Sequence, residues 1–292
     1  MGDDRNEGAV VSPGPDGGRV RVPLTSAQRP FWLAQHLDPD AALTVALYVD
    51  IAGAAGSGVD HARLERAMYA AGTESGLRQT RLAQGPDDQP CLIHVEDAIM
   101  NLDIVDLRGD ADPEASALDW MRAEFREPVD LHGTVLVRCA FLRLEDHRTF
   151  LYLRAHHVVL DGQGAFTLLG RIAGQYSGTL TPGPAPTPDT AARIHDAEAA
   201  YAGSRRHDAD LAHWREHLTD FGGPTALSAA PPSAPRQPVA TRLPWTRPRG
   251  TSADPLAVIA ALAVHPTRVL DTDDVVLGFP VTGRTTAALR AT

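Results

Sequence analysis

Apolar residues recur along this chain with two periods, and the switch between the periods marks out most of the elements. A three-to-four-residue spacing through Leu64, Ala67, Met68 and Ala71 predicts a helix capped by Asp60. Leu118, Met121 and Phe125 predict a second helix, started by Asp112-Pro113-Glu114 with proline at its first turn. Phe166, Leu169, Ile172 and Tyr176 predict a third. Nearer the start, Thr25 and Gln28 have the spacing of a capping box for a helix carrying Phe31, Trp32 and Leu33. Between these helices, Leu43–Ile51, Leu77–Leu82, Cys91–Val95, Val135–Leu144 and Thr149–Ala155 read as strands. The last two are joined by the short polar turn Glu145-Asp146-His147-Arg148.

The later part of the chain reads differently. Pro182, Pro184, Pro186 and Pro188 alternate through an extended linker, and a second proline-rich connector runs from Pro224 to Pro248. Two helices are expected between them, near Ala191–Ala202 and Asp208–Leu218. After them, Asp254-Pro255 opens an all-apolar helix that is expected to be buried and to stop at Pro266, and Val275–Phe279 reads as a buried strand. Helices mixed with strands around a central hairpin predict an α+β or mixed α/β layered architecture.

Composition narrows the function classes. The 292 residues carry a formal net charge of −10, with neither a basic stripe nor interleaved aromatics, so a nucleic-acid partner is not expected. No apolar run is long enough for a membrane span, and residues 1–20, rich in Gly, Asp and Pro, read as a disordered tail without a signal peptide. Cys91 and Cys139, with no metal-type spacing, read as core thiols of a reducing compartment, so the expected location is the cytoplasm.

Candidate chemistry concentrates in His156-His157-Val158-Val159-Leu160-Asp161-Gly162, at the end of a predicted strand. Strand alternation places Leu151, Leu153, Ala155 and His157 on one face, and Phe150, Tyr152, Arg154 and His156 on the other. An imidazole ending an apolar face can take a proton from an attacking amine, orient it, or stabilise a tetrahedral intermediate. Asp161, expected to be buried behind it, needs a cation, for which Arg138, Arg78 and Arg284 are candidates. Gly162 is expected to permit a tight turn and leave room for substrate. His213 and His217 have the spacing of a helical metal pair, but the stripe Leu211, Trp214 and Leu218 lies opposite them, so a solvated face is expected and no metal site. Helix capping is the reading for Thr25 and Ser26, and a solvated helix end that for Arg205-Arg206.

These residues resemble the condensation domains of nonribosomal peptide synthetases. His156-His157 through Asp161-Gly162 matches the family's HHxxxDG motif, and Thr25 to Trp32 resembles its opening S/T-x-A-Q-x-x-x-W helix. Glu74 to Leu82 is similar to the second motif, with Gly72-Thr73 where Arg-His is usual, and Asp274 to Arg284 resembles the start of the C-terminal half. Phe31 to Gln35 and Phe166 to Tyr176 look most like the enterobactin-synthetase type.

The resemblance implies a chloramphenicol-acetyltransferase-like fold of two lobes with a tunnel between them. Residues 21–180 would form a complete N-terminal lobe, and 181–292 a helical linker and the start of an incomplete C-terminal lobe. His157 would sit where an acceptor amine attacks a donor thioester, His156 would be a packing residue, and Asp161 would pair with Arg284 or Arg78. The implied partners are donor and acceptor peptidyl carrier proteins and a neighbouring adenylation domain. Substrates would arrive on 4'-phosphopantetheine, with no cofactor bound directly. Two other functions fit the same residues: a shortened domain that only docks carrier proteins, and a stand-alone acyltransferase acting on acyl-CoA or a soluble amine.

Overall fold

The structure is a computed structural model, and it describes residues 21–53, 57–85, 88–95, 101–131, 136–184, 189–220, 255–272, 275–279 and 281. The expected disordered tail, the connector Pro224–Pro248 and Arg284 lie outside the described residues. The described chain through His207 forms one unit, and the described part of Asp208–Gly283 a second.

In the first unit, four strands form a mixed sheet. They are β2 (Thr44–Ala52), β5 (Asn101–Asp106), β6 (Val137–Glu145) and β7 (Arg148–His156), in the order β2-β7-β6-β5. β7 runs antiparallel to both β2 and β6, so it is central, and it is buried along nearly its whole length. Its last residue, His156, lies opposite Thr44. β5 was not expected. It pairs in parallel with β6 through the helix α3 (Pro113–Phe125), and its pattern Asn-Leu-Asp-Ile-Val-Asp is that of an edge strand too polar to stand out in sequence.

Each face of this sheet carries its own core. On one, Leu151, Leu153 and Ala155 of β7 pack with Leu64, Met68 and Ala71 of α2 (His61–Glu74), and with Leu168, Leu169 and Ile172 of α4 (Gly162–Ser177). On the other, Phe150 and Tyr152 pack with Ala117 and Met121 of α3. Full burial of each large side chain is worth about 1.5–3 kcal/mol, so these two faces hold the unit together. The helix faces depart in detail from expectation. α3 buries Ala117, Met121 and Glu124 in place of a 118/121/125 stripe, and Phe166 on α4 is 70% exposed.

A second sheet of three short antiparallel strands has the order β1-β4-β3, from β1 (Arg21–Pro23), β3 (Thr80–Gln84) and β4 (Pro90–His94). Leu82 of β3, Leu24, Leu131 and Leu136 enclose Val158 in a third apolar cluster, against which Trp32 of α1 (Arg29–Leu37) packs. The unit ends later than residue 180, because α5 (Asp189–Ala202) contacts β1 and Glu198 accepts a 2.7 Å hydrogen bond from the Ser26 backbone N–H.

The second unit holds most of α6 (Arg205–His217) and α7 (Pro255–Leu270). Three expectations fail here. α7 does not stop at Pro266: it continues for a further turn, in which the Thr267 hydroxyl donates to the Val264 carbonyl. Nor is it buried, since Leu256 is 70% exposed, and Val275–Phe279 is exposed coil with Phe279 at 65%. A strand needs a ladder partner, and no described strand pairs with 275–279. His213 and His217 lie on the exposed surface of α6, and no group of metal-ligating residues occurs among the described residues. No described helix is long and apolar enough to cross a membrane.

Candidate active site

The site is built at the point where β7 runs out. After His156 the chain turns within its own backbone bonds, the Val159 and Leu160 N–H groups both donating to the His156 carbonyl at 3.0 and 3.2 Å. Asp161 then ends the turn by capping α4, its carboxylate accepting a 2.7 Å bond from the Gly164 N–H. The strand end and the helix start are therefore joined by five residues with little freedom to move.

The two histidines have separate environments. His156 is fully buried. Its Nδ1 accepts from the Val158 N–H at 3.1 Å, so the proton sits on Nε2, which donates to Gln35 Oε1 at 3.1 Å. Gln35, itself buried, is held in that orientation because its amide nitrogen donates to the Asp38 and Pro39 carbonyls at 3.2 and 2.8 Å. Burial, reinforced by the neighbouring His157, pushes the His156 pKa down to about 4. The ring is therefore neutral at pH 7, with both nitrogens bonded inside the protein.

His157 is only half-buried. Its backbone N–H donates to the Leu43 carbonyl at 3.0 Å, and its ring stacks on Phe31 with centroids 4.8 Å apart and planes at 15°. Burial lowers its pKa, while the Asp161 carboxylate and a hydrogen bond from the ring to the Leu160 backbone oppose the shift. The lowered pKa favours the neutral imidazole, which carries one nitrogen with a free lone pair.

The expected supporting residues divide. Asp161 is half-buried, and its first task is the helix cap. Arg138 is not its partner: it bonds Asp103 at 2.7 Å and Glu124 at 3.3 Å on the opposite face of the sheet. Strand parity explains this, since Arg138 lies opposite Arg154, on the face away from His157. Arg78 donates to Thr73 Oγ1 at 2.8 Å and lies over the Tyr69 ring, bracing the end of α2. Gly162 does not make a tight turn with positive φ, which among the described glycines is adopted by Gly76 and Gly178. Gly162 is exposed, and a Cβ there would meet nothing within 4 Å.

Sequence reasoning placed the helix after Thr25 but missed its grip on the motif. Gln28 Nε2 donates to the Val158 carbonyl at 2.8 Å, while its Oε1 accepts from the Thr25 N–H at 3.0 Å. Only that arm of the expected capping box is present, and the box is completed by a bond to the loop in place of a second cap. Asp161→Ala is expected to cost about 0.5–2 kcal/mol through the lost cap, read as a lower urea midpoint with unchanged slope. A midpoint equal to the parent's would show that the cap contributes nothing.

The buried His156 also sets a pH dependence. Its folded pKa near 4 lies below the ordinary value of 6.5, so the unfolded chain binds the extra proton first. The stability this ring contributes is complete above about pH 6.5 and lost as pH falls toward 4. Melting temperature should drop across that window, and more steeply than in His156→Gln. Parallel pH profiles for the two proteins would contradict the assignment.

Comparisons with known proteins bear on this geometry directly. The chain is 29% identical over 286 residues to a dimodular nonribosomal peptide synthase of Bacillus subtilis (strain 168), covering 92% of this chain and 12% of that protein. It is 31% identical over 216 residues to enterobactin synthase component F of Shigella flexneri, covering 72% of this chain and 16% of that one. Among solved structures, a mutant of the starter condensation domain of rhizomide synthetase RzmA, in complex with C8-CoA and Leu-SNAC, superposes with a TM-score of 0.76 at 28% identity. That match covers 92% of this chain and 63% of the other. The chain thus spans a small part of the synthetases and under two thirds of the solved domain. The mixed α/β architecture is shared with those domains. The condensation-domain family model matches residues 19–292, and with the double-histidine turn and its capped helix in place, the chain belongs to the condensation-domain family.

Proposed function

We propose that this chain forms an amide bond between a carrier-bound acyl or peptidyl thioester and a carrier-bound aminoacyl acceptor, in the cytoplasm, during nonribosomal peptide synthesis. The observation that carries the reading is His157: half-buried, stacked, held by a backbone bond and kept neutral by its surroundings. Its unprotonated nitrogen takes the proton of the acceptor amine as that amine attacks the thioester carbonyl. The C–N bond forms, the C–S bond breaks, and the proton passes to the departing phosphopantetheine thiolate. No cofactor enters this chemistry, and phosphopantetheine arrives as the substrates' tether.

In this reading Asp161 caps α4 and pairs with an arginine, Arg284 or Arg78, Gly162 leaves room for the acceptor, and His156 is structural. Donor and acceptor carrier proteins and an adenylation domain are the partners, as expected of a chain whose relatives are multidomain synthases. A starter-type donor is a second reading, favoured by the solved relative that holds C8-CoA. The test is a single-turnover incubation with loaded donor and acceptor carrier proteins, alongside an acyl-CoA donor. Amide from the carrier-bound donor supports the first reading, and amide from acyl-CoA alone supports the second. Absence of amide from both contradicts the activity.

A further inference from the structure

Three residues on one side of α1 and its N-cap position, Gln28, Phe31 and Gln35, meet three consecutive residues of the motif. Gln35 bonds the ring of His156, Phe31 stacks on the ring of His157, and Gln28 bonds the carbonyl of Val158. At 100° per residue these positions span about 60° of the helix circumference, so a single rigid surface makes all three contacts. Trp32 extends that surface into the apolar cluster that encloses Val158.

Both amides are oriented by second bonds. Gln28 is tied to Thr25, and Gln35 to the carbonyls of Asp38 and Pro39. Neither can flip without leaving a polar group unsatisfied. The Phe31 ring covers one face of the His157 imidazole at near-parallel planes, restricting the ring's rotation and shielding that face from water.

We infer that the Gln28/Phe31/Gln35 face of α1 is a positioning clamp, which sets the orientation of the His157 imidazole for the reaction. The inference rests on the proposed amide-forming role of His157. None of the three touches a substrate in this account, since they act through the loop and the ring. The clamp divides the work: Gln28 and Gln35 fix the backbone and the buried neighbour, and Phe31 fixes the plane of the reacting ring. A misplacement of about 1 Å in a reacting group can cost a hundredfold in rate, so the clamp bears on turnover more than on substrate affinity.

The test follows the His157 ring by NMR titration together with single-turnover kinetics in Phe31→Leu, Phe31→Tyr and Gln28→Met. Phe31→Leu keeps apolar bulk but removes the stack. It is expected to raise the His157 pKa toward 6.5 and to lower the maximal rate about tenfold to a hundredfold, with KM little changed. Phe31→Tyr keeps the stack and should restore both readings. Gln28→Met releases Val158 and should lower the rate in the same way, which decides the question if Phe31→Leu does not fold. A His157 titration and rate equal to the parent's in the folded variants would overturn the clamp. The titration reads the clamp even where no amide forms, so this inference and the amide-forming reading fail separately.

Discussion

Replacing His157 with alanine is expected to lower the single-turnover rate of amide formation by about 10²–10⁴-fold, the usual contribution of a positioned general base. Of the two imidazoles at the strand end, that of His157 is the one not fully buried, and its surroundings lower its pKa. His156, beside it in sequence, has both ring nitrogens committed, to Val158 and to Gln35. The loss should appear in the rate far more than in stability, since His157 is half-buried and its backbone bond to Leu43 survives in the variant. His157→Gln, which cannot take up a proton, should behave like His157→Ala. A variant that keeps the parent's rate would assign the chemistry to another group.

Removing Glu124 is expected to produce a large loss of stability. Its carboxylate is 4% exposed and accepts from the Tyr152 hydroxyl at 2.7 Å. It pairs with Arg154 at 2.8 Å, whose side chain is 7% exposed, and with Arg138 at 3.3 Å. Burial, followed by the bond to Glu124, pushes the Tyr152 pKa up, so this phenol stays protonated and donates. Glu124→Ala leaves the Arg154 guanidinium buried with its main counter-charge gone, for which the expected cost is about 3–5 kcal/mol in urea unfolding. Arg154 keeps its 2.7 Å bond to the Glu127 carbonyl, which satisfies one donor but neutralises no charge. A loss under about 1 kcal/mol would show that the network behaves like a surface pair. Because Arg154 lies on β7 two residues before His156, a loosened network would also be felt at the strand end.

What could be read in the sequence follows from how local each signal is. Strand alternation through β7 correctly separated the two histidines, because parity needs no knowledge of tertiary partners. The caps at Asp60 and Asp112 were equally local, and both accept the N–H three residues on. Asp161 carries the same signal three residues before Gly164, yet its charge drew attention to ion pairing ahead of capping. The clamp could not be read, since Gln28 and Val158 are 130 residues apart and a glutamine has no period to betray it. Glu124 was hidden for a related reason: a carboxylate breaks the apolar stripe used to find a buried face, and only Arg154, Arg138 and Tyr152 make its burial tolerable. Apolarity alone misled at α7 and 275–279, where composition predicts a cover but cannot name it.

The most direct test of the account is the pH dependence of the single-turnover rate in the parent chain and in His157→Ala. The rate should rise with pH and level off above an apparent pKa lower than 6.5, and that rising limb should vanish in the variant. A variant that keeps the same limb, at whatever rate, would show that the titrating base is not His157.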